Sequence, residues 1–249
     1  MRATVYGIPG SHPVRAGLLM LDRKGIEWRR RDLPNGVSRL VLRALGFPDV
    51  TVPAVRVDGR KVQTTRALAR ALDEIVPEPP LFPADPDRRA AVESAEQWGD
   101  EVLQPVPRRL SWAALSRDRK PLRSFLEGPV MGIPPSLAAL TGGPLVKVGV
   151  RLNGAHDDAV RADLLTLPVL LDQVDDLIAN GVVGAAEPNA ADFQILTSVR
   201  LLMCFDDLRP LLDGRPAAEA ALRVVPDYAG HVPPVFPAEW LPVLEPEPS

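Results

Sequence analysis

Cysteine is almost missing from the chain: Cys204 is the only one in 249 residues. One cysteine excludes an intramolecular disulfide framework and any cysteine-cluster metal centre. Histidine is scarce as well. His12, His156 and His231 lie far apart, and none sits in the close spacing with other ligand residues that a zinc site needs, so no metal is expected. Asp157-Asp158 and Asp175-Asp176 then read as solvated helix positions rather than metal ligands. An excess of positive charge is lacking too. The net charge is −3, which argues against binding to nucleic acid driven by bulk charge. Lysine supplies only 4 of the 29 basic residues, a bias that says more about base composition than about function. No run of 18 apolar residues occurs, so no membrane-spanning helix is expected. Met1-Arg2-Ala3-Thr4 does not open a secretory signal, and a cytoplasmic location is the simplest expectation.

What the chain does have is punctuation, with 28 prolines and 18 glycines. Ala3-Thr4-Val5-Tyr6 suits a buried strand. Gly7 and Gly10 allow a tight turn, and Pro13 suits a first helical turn. Val14, Leu18 and Leu21 then recur at helical spacing up to Gly25. Ser11 therefore stands at the mouth of a helix, where free N–H groups and the helix dipole favour an anion. Ile26 to Arg31 reads as a second strand, its arginines as a solvated strand end, and Leu33-Pro34-Asn35-Gly36 as a turn. Ser38 to Leu45 reads as a short helix. Val55 and Val57, Asp58-Gly59 and Val62 read as a hairpin, and Thr64 or Thr65 as the cap of a helix carrying Leu68, Leu72 and Ile75.

These elements make a β-α-β-α-β-β-α unit over residues 1–76. Five prolines between Val76 and Pro86 make 77–87 a semi-rigid linker. Residues 88–225 read as helical. Ala91, Ala95, Trp98 and Val102 form one stripe, interrupted at Pro105 and Pro107, and a second helical region runs from Leu110 to Leu126. Gly128 to Gly154 reads as an irregular crossing, with a lid or a partner surface as the sharper alternative. A long helix follows over about 155–180. Asn189 with Asp192 forms a capping box for the next helix, and Cys204 reads as a small core residue. The last stretch, 226–249, holds seven prolines and reads as an irregular tail anchored by Phe236, Trp240 and Leu241.

This order resembles the cytosolic glutathione transferases: an α/β thioredoxin-like N-terminal domain, a proline-bearing linker and an all-α C-terminal domain. Gly10-Ser11-His12-Pro13-Val14-Arg15, closed by Lys24-Gly25-Ile26, resembles the family's nucleophile turn and first helix. Thr51-Val52-Pro53-Ala54-Val55 resembles its VPxL segment, in which the proline is cis. Asp58-Gly59 with Val62 to Leu68, and Asn189-Ala190-Ala191-Asp192, resemble two further family segments. The resemblance is to serine-type, bacterial members. It implies a cytoplasmic homodimer that takes glutathione, or another small thiol, as co-substrate and transfers it to a hydrophobic electrophile. Ser11 would be the catalytic residue, donating a hydrogen bond to the sulfur and favouring its thiolate. Ser11, His12, Val52, Pro53, Thr64 and Thr65 would form the thiol site. The Val52 main chain would pair with the thiol like an added strand, and the Thr64-Thr65 helix start would meet its γ-glutamyl carboxylate. The electrophile would sit between the domains, against the helix starting near Arg88, the Leu110–Phe125 region and the 128–154 stretch.

Alternatives stand beside these roles. Ser11 also suits a simple helix cap, Tyr6 is a second candidate hydroxyl, and His12 reads as an exposed turn residue more readily than as a base. Thr64-Thr65 stands where the family has Glu or Gln followed by Ser, so the acid that would meet the thiol's ammonium is missing. The competing reading is a non-catalytic ligand-binding or assembly protein with the same fold.

Overall fold

The computed structural model describes residues 1–33, 38–126 and 142–242. The turn read at 34–36, part of the 128–154 stretch and the last seven residues of the tail lie outside the described residues. The first part of the chain runs β1 (Arg2–Gly7), α1 (His12–Arg23), β2 (Glu27–Asp32), α2 (Ser38–Ala44), β3 (Ala54–Val57), β4 (Arg60–Gln63) and α3 (Thr65–Ile75). The sheet order is β2-β1-β3-β4, with β1 parallel to β2 and the other pairs antiparallel. The period of two along β1 sorts the faces. Ala3 and Val5 join Val55 and Val57 in the main core with Leu18, Leu21, Leu68 and Leu72 of α1 and α3. Tyr6 and Ala54 face the other way and pack with Leu33, Leu42 and Phe47 in a small core under α2. Asp58 (φ 47°) and Gly59 (φ 75°) both take the left-handed conformation that a two-residue hairpin between β3 and β4 requires.

The rest is helical: α4 (Pro86–Trp98), a π-helical turn (Gly99–Leu103), α5 (Pro105–Arg117), a 3-10 turn (Lys120–Phe125), α6 (Gly143–Asn153), α7 (Asp157–Ala179), α8 (Ala190–Leu202), and the short α9 (Arg209–Leu212) and α10 (Pro216–Val224). Two expectations are corrected here. The interruption read at Pro107 does not occur, because α5 runs on through it, and the boundary lies at Pro105. Pro105 opens α5, at the position where a missing N–H leaves nothing unpaired. The crossing read at 128–154 contains α6, whose Gly149 lies so close to Trp112 that a Cβ there would be 2.3 Å from the indole. A glycine chosen for close helix contact therefore looks like a breaker in the sequence.

α8 is the centre of the molecule. All of its residues except Arg200 are buried, and α1 and α4 both pack on it. Each fully buried Leu or Ile in it contributes about 1.5–3 kcal/mol. The capping box forms as read. The Asn189 side chain accepts from Ala191 N–H (2.9 Å), and the Asp192 carboxylate accepts from Asn189 N–H (2.8 Å). Asp192 also accepts from Gly184 N–H (2.6 Å), which ties the turn after α7 to α8.

Lys24, at the end of α1, fixes the linker. Its ammonium donates to the carbonyls of Val76 (2.6 Å) and Pro79 (2.7 Å) and pairs with Asp73 (2.6 Å). Asp73 in turn accepts from the N–H groups of Leu81 (2.9 Å) and Phe82 (3.2 Å). The tail is anchored as well. Val232 pairs with the segment after α8, Phe236 stacks on Phe205, and Arg117 lies over the rings of Phe236 and Trp240. Asp175, read as solvated, instead holds Arg215 (2.7 Å) and accepts from Ala217 N–H (2.8 Å).

Candidate functional site

A cavity of about 470 Å³ opens between the sheet unit and the helices, a volume that suits a small molecule. Ser11, His12, Val52, Pro53, Thr64 and Thr65 all line it. Three loops on one side of the sheet unit bring them together: the turn from β1 to α1, the approach to β3, and the junction of β4 with α3.

Ser11 is the N-cap of α1, with extended backbone, and its hydroxyl accepts from Val14 N–H at 3.5 Å. That bond is long, so the cap makes little demand on the oxygen. Gly10 precedes it at φ 70°, with the Phe125 ring 3.0 Å from where a Cβ would sit. The Gly10 carbonyl accepts from the Tyr228 hydroxyl (2.8 Å), so the tail holds the turn from the far end of the chain.

His12 is buried, not exposed, because the start of α1 is pressed between the sheet unit and the helices. Its Nε2 has no hydrogen-bond partner. Burial, with the charge of Arg108 added, holds its imidazole well below the usual range, and the main-chain carbonyl of Gln104 opposes this only weakly. His12 is therefore a neutral wall of the cavity at physiological pH.

The Val52–Pro53 peptide is cis, and Val52 makes no main-chain hydrogen bond among the described residues. The Pro53 carbonyl accepts from Thr64 N–H (3.2 Å). Thr64 caps α3 from a left-handed conformation (φ 69°), its hydroxyl accepting from Ala67 N–H (3.2 Å). The Thr65 hydroxyl is buried and donates to Gln194 Oε1 of α8. Gln194 Nε2 donates to Gln104 Oε1 (2.9 Å), and Gln104 Nε2 donates to Asp100 Oδ1 (3.0 Å). The Thr65 hydroxyl is thus committed within the protein, while the exposed Thr64 hydroxyl serves as an acceptor for its helix cap. The N–H groups at the start of α3 carry the binding capacity of that corner. Gln63 is turned away and secures the loop before β3 through Asp49 and Thr51.

Tyr6 does not line the cavity. It packs edge-on against Phe47 under α2. The start of α4 near Arg88 does not line it either; on that side the wall is Asp100 in the π-helical turn. The opposite wall is apolar: Trp112 and Leu115 of α5, Leu122 and Phe125 of the 3-10 turn, and Leu145, Val148 and Leu152 of α6. Asp100, Gln104 and Arg108, with Arg39, Ser111 and Asn153, are polar lining residues that a motif reading misses. The only signal was spacing: Arg108, Ser111, Trp112 and Leu115 share one helical face. Cys204 lies outside the cavity lining, and burial pushes its thiol up to about 11. Among the described residues no cluster of His, Cys, Asp and Glu could hold a metal ion, and no helix is long and apolar enough to cross a membrane.

Residues 5–80 match the family model of the glutathione S-transferase N-terminal domain. No curated protein matches the chain in sequence. Among solved structures, it is similar to a glutathione S-transferase from Sinorhizobium meliloti, at 18% identity and TM-score 0.59 over 90% of this chain and 88% of that one. It is also similar to FzlA from C. crescentus, at 19% identity and TM-score 0.58, covering 96% of this chain and 98% of that one. A GST-like protein from Pseudomonas syringae matches at 18% identity and TM-score 0.57 over 92% of this chain and 68% of the other. Residues 5–80 thus carry the signature of a glutathione S-transferase N-terminal domain, and the chain as a whole shares the thioredoxin-like plus helical fold of these structures.

Proposed function

We propose that the cavity binds glutathione, or another small thiol, and transfers it to a hydrophobic electrophile, with Ser11 favouring the thiolate. In this reading residues 1–76 hold the thiol, 88–225 hold the acceptor, 77–87 join them, and the 226–249 tail braces the Ser11 turn. The observation that carries it is the shared cavity. Ser11, the unpaired main chain of Val52 and the start of α3 face one space, and an apolar wall stands opposite. Ser11 Oγ is weakly engaged as a cap and keeps its proton for the sulfur. His12, being neutral, adds no charge, so the hydroxyl and the N-terminus of α1 supply the polarity. The thiol's carboxylate meets the N–H groups opening α3. Asp100, the only carboxylate lining the cavity among the described residues, takes its ammonium in place of an acid at position 64.

The reaction is thiolate attack on the acceptor, with Ser11 as hydrogen-bond donor and not as nucleophile. Retention on a glutathione matrix, compared with Ser11→Ala, tests it. Wild type is retained, and Ser11→Ala loses turnover of a model electrophile by about 100-fold, the usual effect of removing one donor to a developing or resident anion. No binding at millimolar glutathione refutes the reading in its glutathione form.

One observation favours a second reading. The Thr65 hydroxyl at the start of α3 already donates to Gln194, and position 64 offers a helix-capping hydroxyl in place of an acid. That arrangement fits a non-catalytic ligand-binding or assembly protein, in which Ser11→Ala changes neither retention nor ligand binding. A homodimer and a cytoplasmic location belong to the first reading, and a sedimenting mass of one chain removes the dimer from it.

A further inference from the structure

Among the described residues two cations line the cavity, Arg39 of α2 and Arg108 of α5. Arg39 is exposed, whereas Arg108 is half-buried and lies one turn before Trp112 on the apolar wall. Its neighbour Arg109 turns to another side of the helix and is held bidentately by Asp163 (2.5 and 2.9 Å). Arg108 has no such partner. Among the described residues it makes neither a hydrogen bond nor an ion pair, and burial lowers the pKa of its guanidinium. The charge of Asp100 opposes that shift, but its Oδ1 is taken by Gln104 (3.0 Å) and no ion pair forms. His12, on the same cavity, is neutral and its buried Nε2 is unpartnered. Among the described residues the site thus holds a partly desolvated cation with neither a hydrogen bond nor an ion pair. Such an arrangement is unfavourable by itself and becomes favourable once a ligand brings the anion.

We propose that Arg108 is the docking point for a carboxylate on the acceptor, so that the second substrate is an apolar, typically aromatic, electrophile carrying an acidic group. That this ligand is a substrate rests on the thiol-transfer reading; its binding does not. A probe with the right chemistry is para-chloro-meta-nitrobenzoate. The thiol proton passes to solvent, the thiolate sulfur bonds to the ring carbon bearing chlorine, and chloride leaves with the electron pair of the broken bond. The carboxylate stays unchanged on Arg108.

The test is calorimetric titration of the full chain with this benzoate and with the matching neutral benzamide, first without thiol. Wild type is expected to bind the benzoate about tenfold or more tightly than the benzamide, the scale of a charge-assisted hydrogen bond. Arg108→Met should abolish that preference while leaving benzamide affinity unchanged, and Arg108→Lys should keep part of it. Equal affinities in wild type, or a preference that survives Arg108→Met and disappears in Arg39→Met, overturns the proposal. Saturating glutathione supplies the other arm. If it erases the preference, Arg108 holds the thiol's own carboxylate and the acceptor assignment is wrong; if the preference persists, the assignment stands. If glutathione fails to bind, thiol transfer falls, and the thiol-free titration still decides the role of Arg108.

Discussion

A side chain of this protein does its work through what it is tied to, and the sequence shows residue types more readily than ties. Ser11 was legible because a hydroxyl before Pro13 at the mouth of an apolar-periodic helix has few roles. Its availability was not, because that depends on the 3.5 Å length of the Val14 bond. His12 reads as an exposed turn residue in the sequence, yet it is buried. Nothing local says that α5 will cover it, and that contact spans the length of the sheet unit and linker. Thr65 was legible as part of a helix start, but its hydroxyl partner Gln194 lies 129 positions away. Lys24 carries a prediction at this scale. Its fully buried ammonium satisfies two linker carbonyls and the Asp73 carboxylate. Lys24→Met leaves those acceptors facing a methyl group. A loss of about 3 kcal/mol in urea unfolding is expected, the scale of breaking a buried pair from one side. The linker should also become easier to cleave by protease. A change within about 0.5 kcal/mol, the range of ordinary surface substitutions, would show that the linker is held by other contacts.

At the scale of elements, strands and helices with strong periodicity were readable, and misreadings came from residues with two uses. Pro105 breaks a helix in its interior and begins one at its first turn. Gly149 weakens a helix alone and permits close packing on Trp112. The capping box of α8 was readable because both partners are local. Its electrostatics were not, since they depend on burial. Desolvation raises Asp192 to about 6 from an ordinary 3.8, against the pull of the Asn189 and Gly184 N–H groups. The folded-state value lies above the unfolded one. The stabilising contribution is therefore complete below pH 3.8 and is lost as pH rises through about 6. Integrated over that window it amounts to about 3 kcal/mol. Asp192→Asn removes the titration, so the stability difference between wild type and variant should shift against wild type between those pH values. Parallel pH profiles in urea unfolding would contradict this account. The tail offers a second check at this scale. Tyr228→Phe removes the hydrogen bond from the tail to the Gly10 carbonyl. It should cost about 1 kcal/mol of stability and loosen the Ser11 turn, seen as faster amide exchange at residues 10–12. Unchanged exchange there would mean that Phe125 alone holds the turn.

For the whole molecule, the fold was legible because its two halves have different periods and a proline-dense segment between them. The cavity was half legible. The loops of the sheet unit that line it carry recognisable turns, while its helical wall comes from ordinary-looking helix faces that meet only in three dimensions. The central claim is that this cavity exists to hold a thiolate beside Ser11. The most direct measurement follows the ultraviolet absorbance of bound thiolate while pH is varied, with glutathione saturating wild type and Ser11→Ala. In wild type the bound thiol should ionise well below the roughly 8.5 of an unperturbed thiol, and in Ser11→Ala its ionisation should return toward that value. Identical ionisation in the two proteins, at the free-thiol value, would contradict it.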